Sequence, residues 1–258
     1  MNKQNQEDTT NFGDESAVPQ IKEVLYMNEI ESMNPKEYQK WIYSQDCRAN
    51  KVQIFRSEFY DRIFTQMCSP AHFVVWLAAW LIVILTLLPT HNIGNWIFAT
   101  FIGYYFLSKK VELVLHKYVF HMKVRYNFQK YIHFLFHGLH HAAPKDLTYL
   151  MLPLLAGIPI AFIVRYILLL FTAYNYDLTN SLMAGILIGY VKYDIIHYSL
   201  HAFSKSEISG LVEQYTFSIL PDKFVNSFVI KFESLKKNHN VHHYKNHNKH
   251  FEVSYLIE

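Results

Sequence analysis

Residues 149–201 read YLMLPLLAGIPIAFIVRYILLLFTAYNYDLTNSLMAGILIGYVKYDIIHYSLH, and the fold turns on this stretch. A transmembrane helix needs about 20 predominantly apolar residues. Tyr149–Phe171 supplies them, with Arg165 as its single charge. Arg165 is expected to pair within the bundle or to snorkel to an interface. A turn at 173–180 without Lys or Arg follows, and then a second apolar run, Leu178–Tyr193. That run goes straight on into His197 and His201, which share one helix face at i, i+4 spacing. The hairpin therefore crosses the bilayer and brings two imidazoles back to the side it left. Lys192 and Asp194 follow the turn so closely that the returning helix becomes polar while still low in the domain, shielded by its neighbours.

Upstream, Ala71–Pro89 carries no Asp, Glu, Lys or Arg. Trp96–Ser108 is likewise uncharged and must continue through Val111 and Val114 to span, which leads it into His116. The turn at 89–95 has no Lys or Arg, whereas the opposite side carries Lys109, Lys110, Lys117, Arg125, Lys145 and Lys236 among others. The positive-inside rule puts both termini and the histidines in the cytosol. The expected fold is an all-α integral membrane protein: four transmembrane helices (about 71–90, 94–115, 149–172 and 178–198) capped by a cytosolic, helical, histidine-rich dome. Residues 1–70 form a polar N-terminal extension and 71–258 the membrane-embedded domain. Apolar positions between Pro35 and Met67 suit amphipathic helices on the membrane surface or against the dome. The first ~18 residues read as disordered.

The composition is 51% hydrophobic with 20 Phe and 19 Tyr, and the apolar residues are concentrated rather than spread. A net charge of +3 without a long basic run gives no reason to expect nucleic acid. Cys47 and Cys68 are too few for a disulfide framework and lack zinc-site spacing. No basic segment followed by an apolar one opens the chain, so no cleaved signal peptide is expected.

Ten of the fifteen histidines fall into four clusters: His116 and His121; His137, His140 and His141; His197 and His201; His239, His242 and His243. The two triplets have i, i+3, i+4 spacing and occupy one helix face each. His116 and His121 are five apart and converge only at a helix end or a local bulge. Imidazole suits Zn, Cu, Fe and Ni. Ten imidazoles exceed the demand of one four-coordinate zinc. Over two metals they give five each, with one octahedral position left open. No HExxH motif is present to suggest a hydrolytic zinc site.

At these residues the chain resembles the fatty acid hydroxylase and sterol desaturase superfamily, most closely its fatty acid 2-hydroxylase branch. The resembling boxes are His116–His121, His133 to His141 with Gly138, Tyr193 to His201, and His239 to Asn246. The resemblance implies four spans, a cytosolic dome in the endoplasmic reticulum, two iron ions (zinc in purified relatives), and O2-dependent C–H hydroxylation. It implies that the ten histidines are the metal ligands. His133, Tyr198, Tyr244 and Asn246 are then outer neighbours of the metals, and Asp194 is placed to accept the ring N–H of His197. In that branch the product is a 2-hydroxy acyl chain of sphingolipids. Residues 1–71 contain no histidine for the haem of a fused cytochrome b5 domain. The expected partners are therefore a membrane lipid, O2 and a separate electron donor such as cytochrome b5 with its reductase.

Two departures stand out. An amphipathic insertion at about 204–235 precedes the last box, as a lid, a lipid-facing helix or a docking surface. His250-Phe251-Glu252 replaces an expected Gly-Phe-Gly. His72, His91, His247 and His250 read as surface or interface residues. The alternative readings are a sterol or other lipid oxidase of the same superfamily, and a non-catalytic accessory subunit of a larger membrane complex that keeps the metal site.

Overall fold

A computed structural model describes residues 26–44, 52–57, 59–61, 70–89, 92–106, 110–216, 222–251 and 253. The disorder expected of the first ~18 residues lies outside them, as do Cys47, Cys68 and His91. The described chain is helical. Its elements are α1 (Tyr26–Ser32), α2 (Pro35–Ile42), α3 (Pro70–Leu85), α4 (Ile93–Phe106), α5 (Glu112–Val114), α6 (Asn127–His133), α7 (Leu139–Ala142), α8 (Leu154–Phe171), α9 (Tyr176–Ala202), α10 (Lys205–Thr216) and α11 (Asp222–Tyr244). Two π-helical turns interrupt this series, Leu115–Phe120 after α5 and Phe134–Gly138 before α7.

The apolar helices α3, α4, α8 and α9 form the bundle. One stretch, Leu147–Phe171, is long and apolar enough to cross a membrane by length and composition, while His72–Leu85 is apolar but shorter. Trp76 and Trp80 of α3 are buried against Met183, Leu187 and Val191 of α9. Large apolar side chains face outward from α3, α4 and α8, among them Val75, Phe98, Phe101, Phe162 and Phe171. That outward belt is the reverse of a water-soluble helix bundle.

Helices α4 and α9 cross at small residues. A Cβ on Gly103 would strike the Leu182 carbonyl, and one on Gly185 would strike that of Thr100. The two backbones are therefore in direct contact at this crossing. At the crossing the Thr100 hydroxyl donates to the Ser181 carbonyl at 3.0 Å. Two cations of the bundle are paired: Arg165 donates to Asn180 Oδ1 at 2.8 and 3.1 Å, and Lys192 donates to the Tyr104 hydroxyl at 3.1 Å. Arg165 thus pairs within the bundle, as expected.

The N-terminal helices lie on the dome. Asn34 caps α2 in a reciprocal box with Glu37, and Pro35 sits at its first position. The face this sets up, Tyr38 and Ile42, joins Ile30 of α1 in a buried cluster with Phe134, Leu139 and Ala142. Lys130 reaches across to the Ile30 and Met33 carbonyls and so ties α6 to the end of α1.

The segment expected as an insertion is not a separate lid. Its second half is the start of α11, the same helix that carries the last histidine triplet. Ile208, Val229 and Phe232 bury against Ile196 and Leu200 of α9. Lys236 caps α9 by donating to the Leu200 and Phe203 carbonyls at 2.5 and 2.8 Å.

Candidate metal centre

Each histidine cluster sits at the end of a helix or at a helical distortion. The backbone N–H of His121 donates to the His116 carbonyl at 3.0 Å, the i, i+5 bond that a π-turn makes. That turn supplies the bulge which five-residue spacing required. The second π-turn contains His137 and passes directly into α7, which carries His140 and His141. His197 and His201 close α9, and His239, His242 and His243 close α11.

The ten side chains converge as two adjoining groups. In one, His140, His197, His201, His239 and His243 each offer a nitrogen, and these all lie within 4.8 Å of one another. In the other, His116, His121, His137 and His242 do the same. His141 adjoins this second group, with its Nε2 3.1 Å from that of His137 and 3.2 Å from that of His121. Each triplet is divided. His137 and His242 serve one group, while His140, His239 and His243 serve the other.

The closest Nε2–Nε2 separations run from 2.7 Å (His201–His239) through 3.0 Å (His140–His197, His121–His242) to 3.1 Å (His116–His137). Ligands about 2.1 Å from a common ion at right angles stand ~3 Å apart. The spacing is therefore that of an octahedron's edge.

Protonation agrees with this geometry. Burial, with His242 next, lowers His116 to about 3, and burial lowers His242 to about 4. Burial and then Lys236 lower His201 to about 3. Burial followed by neighbouring imidazoles holds His121, His137, His140, His141, His239 and His243 below the ordinary histidine range. Neutral imidazole is the form that binds a metal. His116 Nδ1 donates to the Phe251 carbonyl at 2.6 Å and His242 Nδ1 to that of Lys249 at 2.8 Å. With the proton on Nδ1, the Nε2 lone pair faces the cluster in both residues. Lone pairs turned toward one another in a buried site are the chemistry of a cation cage. The residues present thus fit a pair of metal ions.

The other expected residues divide. His133 is not in either group. Its Nδ1 meets the Tyr38 hydroxyl at 2.7 Å and its Nε2 the Tyr43 hydroxyl at 3.3 Å. Tyr43 also meets His121 Nδ1 at 3.1 Å and stacks on His247 at 3.8 Å. His247 is thus an interface residue, while His72 and His250 are exposed. Asp194 is buried, and its carboxyl neighbours are the Tyr190 side chain and the Leu152 backbone, not His197. Tyr198 packs its ring on Phe73 in the bundle. Tyr244 is exposed beside the His243 ring, and the Asn246 side chain accepts from the Asn248 backbone.

Sequence reasoning missed Tyr38, Tyr43, Glu112, Lys249 and the carbonyl of Phe251. Gly138 was the one available clue. Its backbone is ordinary helix (φ −59°, ψ −42°), so its purpose is space: a Cβ would lie 2.6 Å from the Tyr38 hydroxyl and 2.8 Å from His133 Nδ1.

Below the histidines an apolar cavity of about 180 Å³ runs between α8 and α9, lined by Phe120, Tyr193, Ala161, Met183 and Leu187 among others. A second cavity, of about 370 Å³, shares Trp80, Ala161, Met183 and Leu187 with it and reaches Arg165 and Asn180. At the upper end of the first cavity the Phe120 ring stacks on His137 at 5.2 Å, and Tyr193 lies 5.6 Å from His197. The groove thus ends one ring short of both groups.

No family model matches the chain. It is 28% identical over 168 residues to a dihydroceramide fatty acyl 2-hydroxylase of Arabidopsis thaliana, which covers 64% of this chain and 69% of that protein. It is 37% identical over 110 residues to the fatty acid 2-hydroxylase of Rattus norvegicus, covering 40% of this chain and 29% of the rat protein. With the ceramide very long chain fatty acid hydroxylase of Saccharomyces cerevisiae it shares 30% identity over 253 residues, 82% of this chain and 58% of the yeast protein. A solved structure of full-length scs7p, with only the hydroxylase domain visible, superposes with a TM-score of 0.68 at 22% identity, over 92% of this chain and 81% of that one.

Proposed function

We propose that this chain belongs to the fatty acid hydroxylase family, akin to its 2-hydroxylases, and that it hydroxylates lipid acyl chains at carbon 2, as fatty acids or ceramide acyl groups, in an O2-dependent reaction at a di-metal centre. The carrying observation is the convergence of ten neutral imidazoles at the head of an apolar groove. The names of the relatives agree with it. The two histidine groups would hold two metal ions, iron in the cell, which would supply O2 binding and activation there. The balance is RH + O2 + 2e⁻ + 2H⁺ → ROH + H2O, with electrons from a separate donor such as cytochrome b5 and its reductase.

The chain's own residues would do the rest. The groove between α8 and α9 takes the acyl tail, and burial of each methylene contributes about 0.8 kcal/mol. Phe120 and Tyr193 close its upper end and keep bulk water from the histidines. Carbon 2 lies beside the lipid's polar head, so a site at the interface reaches it while the tail stays in lipid. In this reading α3, α4, α8 and α9 all span the bilayer of the endoplasmic reticulum. The dome and both termini face the cytosol, and α1 and α2 pack on the dome as a cap.

Lipid mass spectrometry of cells expressing the wild type or His137→Ala tests the reading. The 2-hydroxylated lipids should appear with the wild type and be absent with the variant. An unchanged lipid profile at normal protein level would replace the proposal with an accessory-subunit role.

A further inference from the structure

The two histidine groups are held from outside in different ways. In the group of His116, His121, His137 and His242, three ring nitrogens turned away from the cluster have partners. His116 donates to the Phe251 carbonyl and His242 to the Lys249 carbonyl, while His121 meets the Tyr43 hydroxyl. None of these partners belongs to the four-helix bundle. In the other group, the Nδ1 atoms of His140, His239 and His243 are buried with no protein partner, and His201 faces the Pro144 carbonyl.

The two carbonyls belong to residues 249–251, and the chain is pinned just beyond them at Val253. The Val253 N–H donates to Glu112 Oε1 at 3.0 Å in a buried contact, and Val253 is fully buried. Glu112 lies one helical turn before His116. A single carboxylate therefore fixes the strap beside the ligand that the strap orients. Ring packing adds to the hold: Phe251 lies 5.3 to 5.7 Å from His116, His121 and His242.

We propose that residues 249–251, with Val253, form a strap, anchored by Glu112, that orients His116 and His242, and that the metal of this group alone depends on it. Glu112 is a positioning residue. It acts through Val253, Phe251 and Lys249. The inference rests on the di-metal reading above. Loss of a partner that orients a metal-bound histidine typically weakens metal affinity by about 10- to 100-fold. The two ions of one chain should then become unequal when the strap is released.

The test uses the full chain in detergent, loaded with Zn²⁺ and titrated with a competing chelator, with metal per chain read by elemental analysis. Glu112→Ala and Val253→Pro should each surrender one equivalent at about 10- to 100-fold lower chelator and keep the other as the wild type does. Glu112→Gln retains a carbonyl acceptor for the Val253 N–H and should match the wild type. In a His239→Ala/His243→Ala background, which leaves one group complete, Val253→Pro should weaken the remaining equivalent by the same factor. Equal weakening of both equivalents overturns the strap, since general unfolding would do that. So does no weakening, or a Glu112→Gln as leaky as Glu112→Ala. A wild type that holds no metal removes the di-metal reading and this inference together, whereas two tight equivalents in every variant remove the strap alone.

Discussion

Replacing Gly138 by alanine separates local propensity from the demands of the site. On a free helix the change should stabilise by about 1 kcal/mol. Here the new methyl would lie 2.6 Å from the Tyr38 hydroxyl and 2.8 Å from His133 Nδ1, a buried pair bonded at 2.7 Å. Overpacking of a tight interior costs about 1–3 kcal/mol. Parting the Tyr38–His133 bond costs roughly 1 kcal/mol more. The net expectation is a loss of about 1–3 kcal/mol, or roughly 3–10 °C in thermal midpoint. Gly210 is the control, because a Cβ there meets nothing within 4 Å and Gly210→Ala should raise the midpoint slightly. Detergent-solubilised protein followed by circular dichroism measures both. Tyr38→Phe removes the nearer clashing atom, so Gly138→Ala should cost less in that background. A Gly138→Ala midpoint at or above that of Gly210→Ala would refute the idea that this glycine exists to admit α2 against His133.

Two further outcomes follow from the same contacts. Gly185→Ala should force α9 off the Thr100 carbonyl and lower the thermal midpoint by several degrees, measured as above, because a backbone cannot yield as a side chain does. The metal-free protein should lose stability as pH falls below about 6.5 toward 4. His133, lowered to about 4 by burial, stays neutral in the folded chain over that window while the unfolded chain takes up the proton. The sign is a loss on acidification, on the order of 3 kcal/mol for this one residue. A midpoint flat from pH 7 to 4.5 would contradict it.

The gathering of the ten histidines was readable because helical spacing is a local property. Three- and four-residue intervals share a face, and the five-residue interval between His116 and His121 demanded the bulge that the π-turn provides. The division of each triplet between two groups was not readable. Residues on one face of a helix can turn to either side of a seam, and only the packed neighbours decide which. Tyr38 and Tyr43 lie 78 to 95 residues from the histidines they hydrogen-bond, and Val253 lies 141 from Glu112. No periodicity spans such intervals. Asp194 was placed one turn before His197 correctly, but its carboxyl found Tyr190 and Leu152 instead. The resemblance to known boxes named Gly138 without saying why it is small, and the clash with Tyr38 supplies the reason.

Neighbours in the chain, His140 and His141, answer to different groups, and so do His242 and His243. The gap between the two cages is thereby tied to the length of a single peptide unit, about 3.8 Å between successive Cα atoms. Such a ruler is written in covalent bonds. Substitutions that widen or shorten the groove between α8 and α9 leave it untouched, so the groove can change shape while the spacing of the two imidazole groups stays constant.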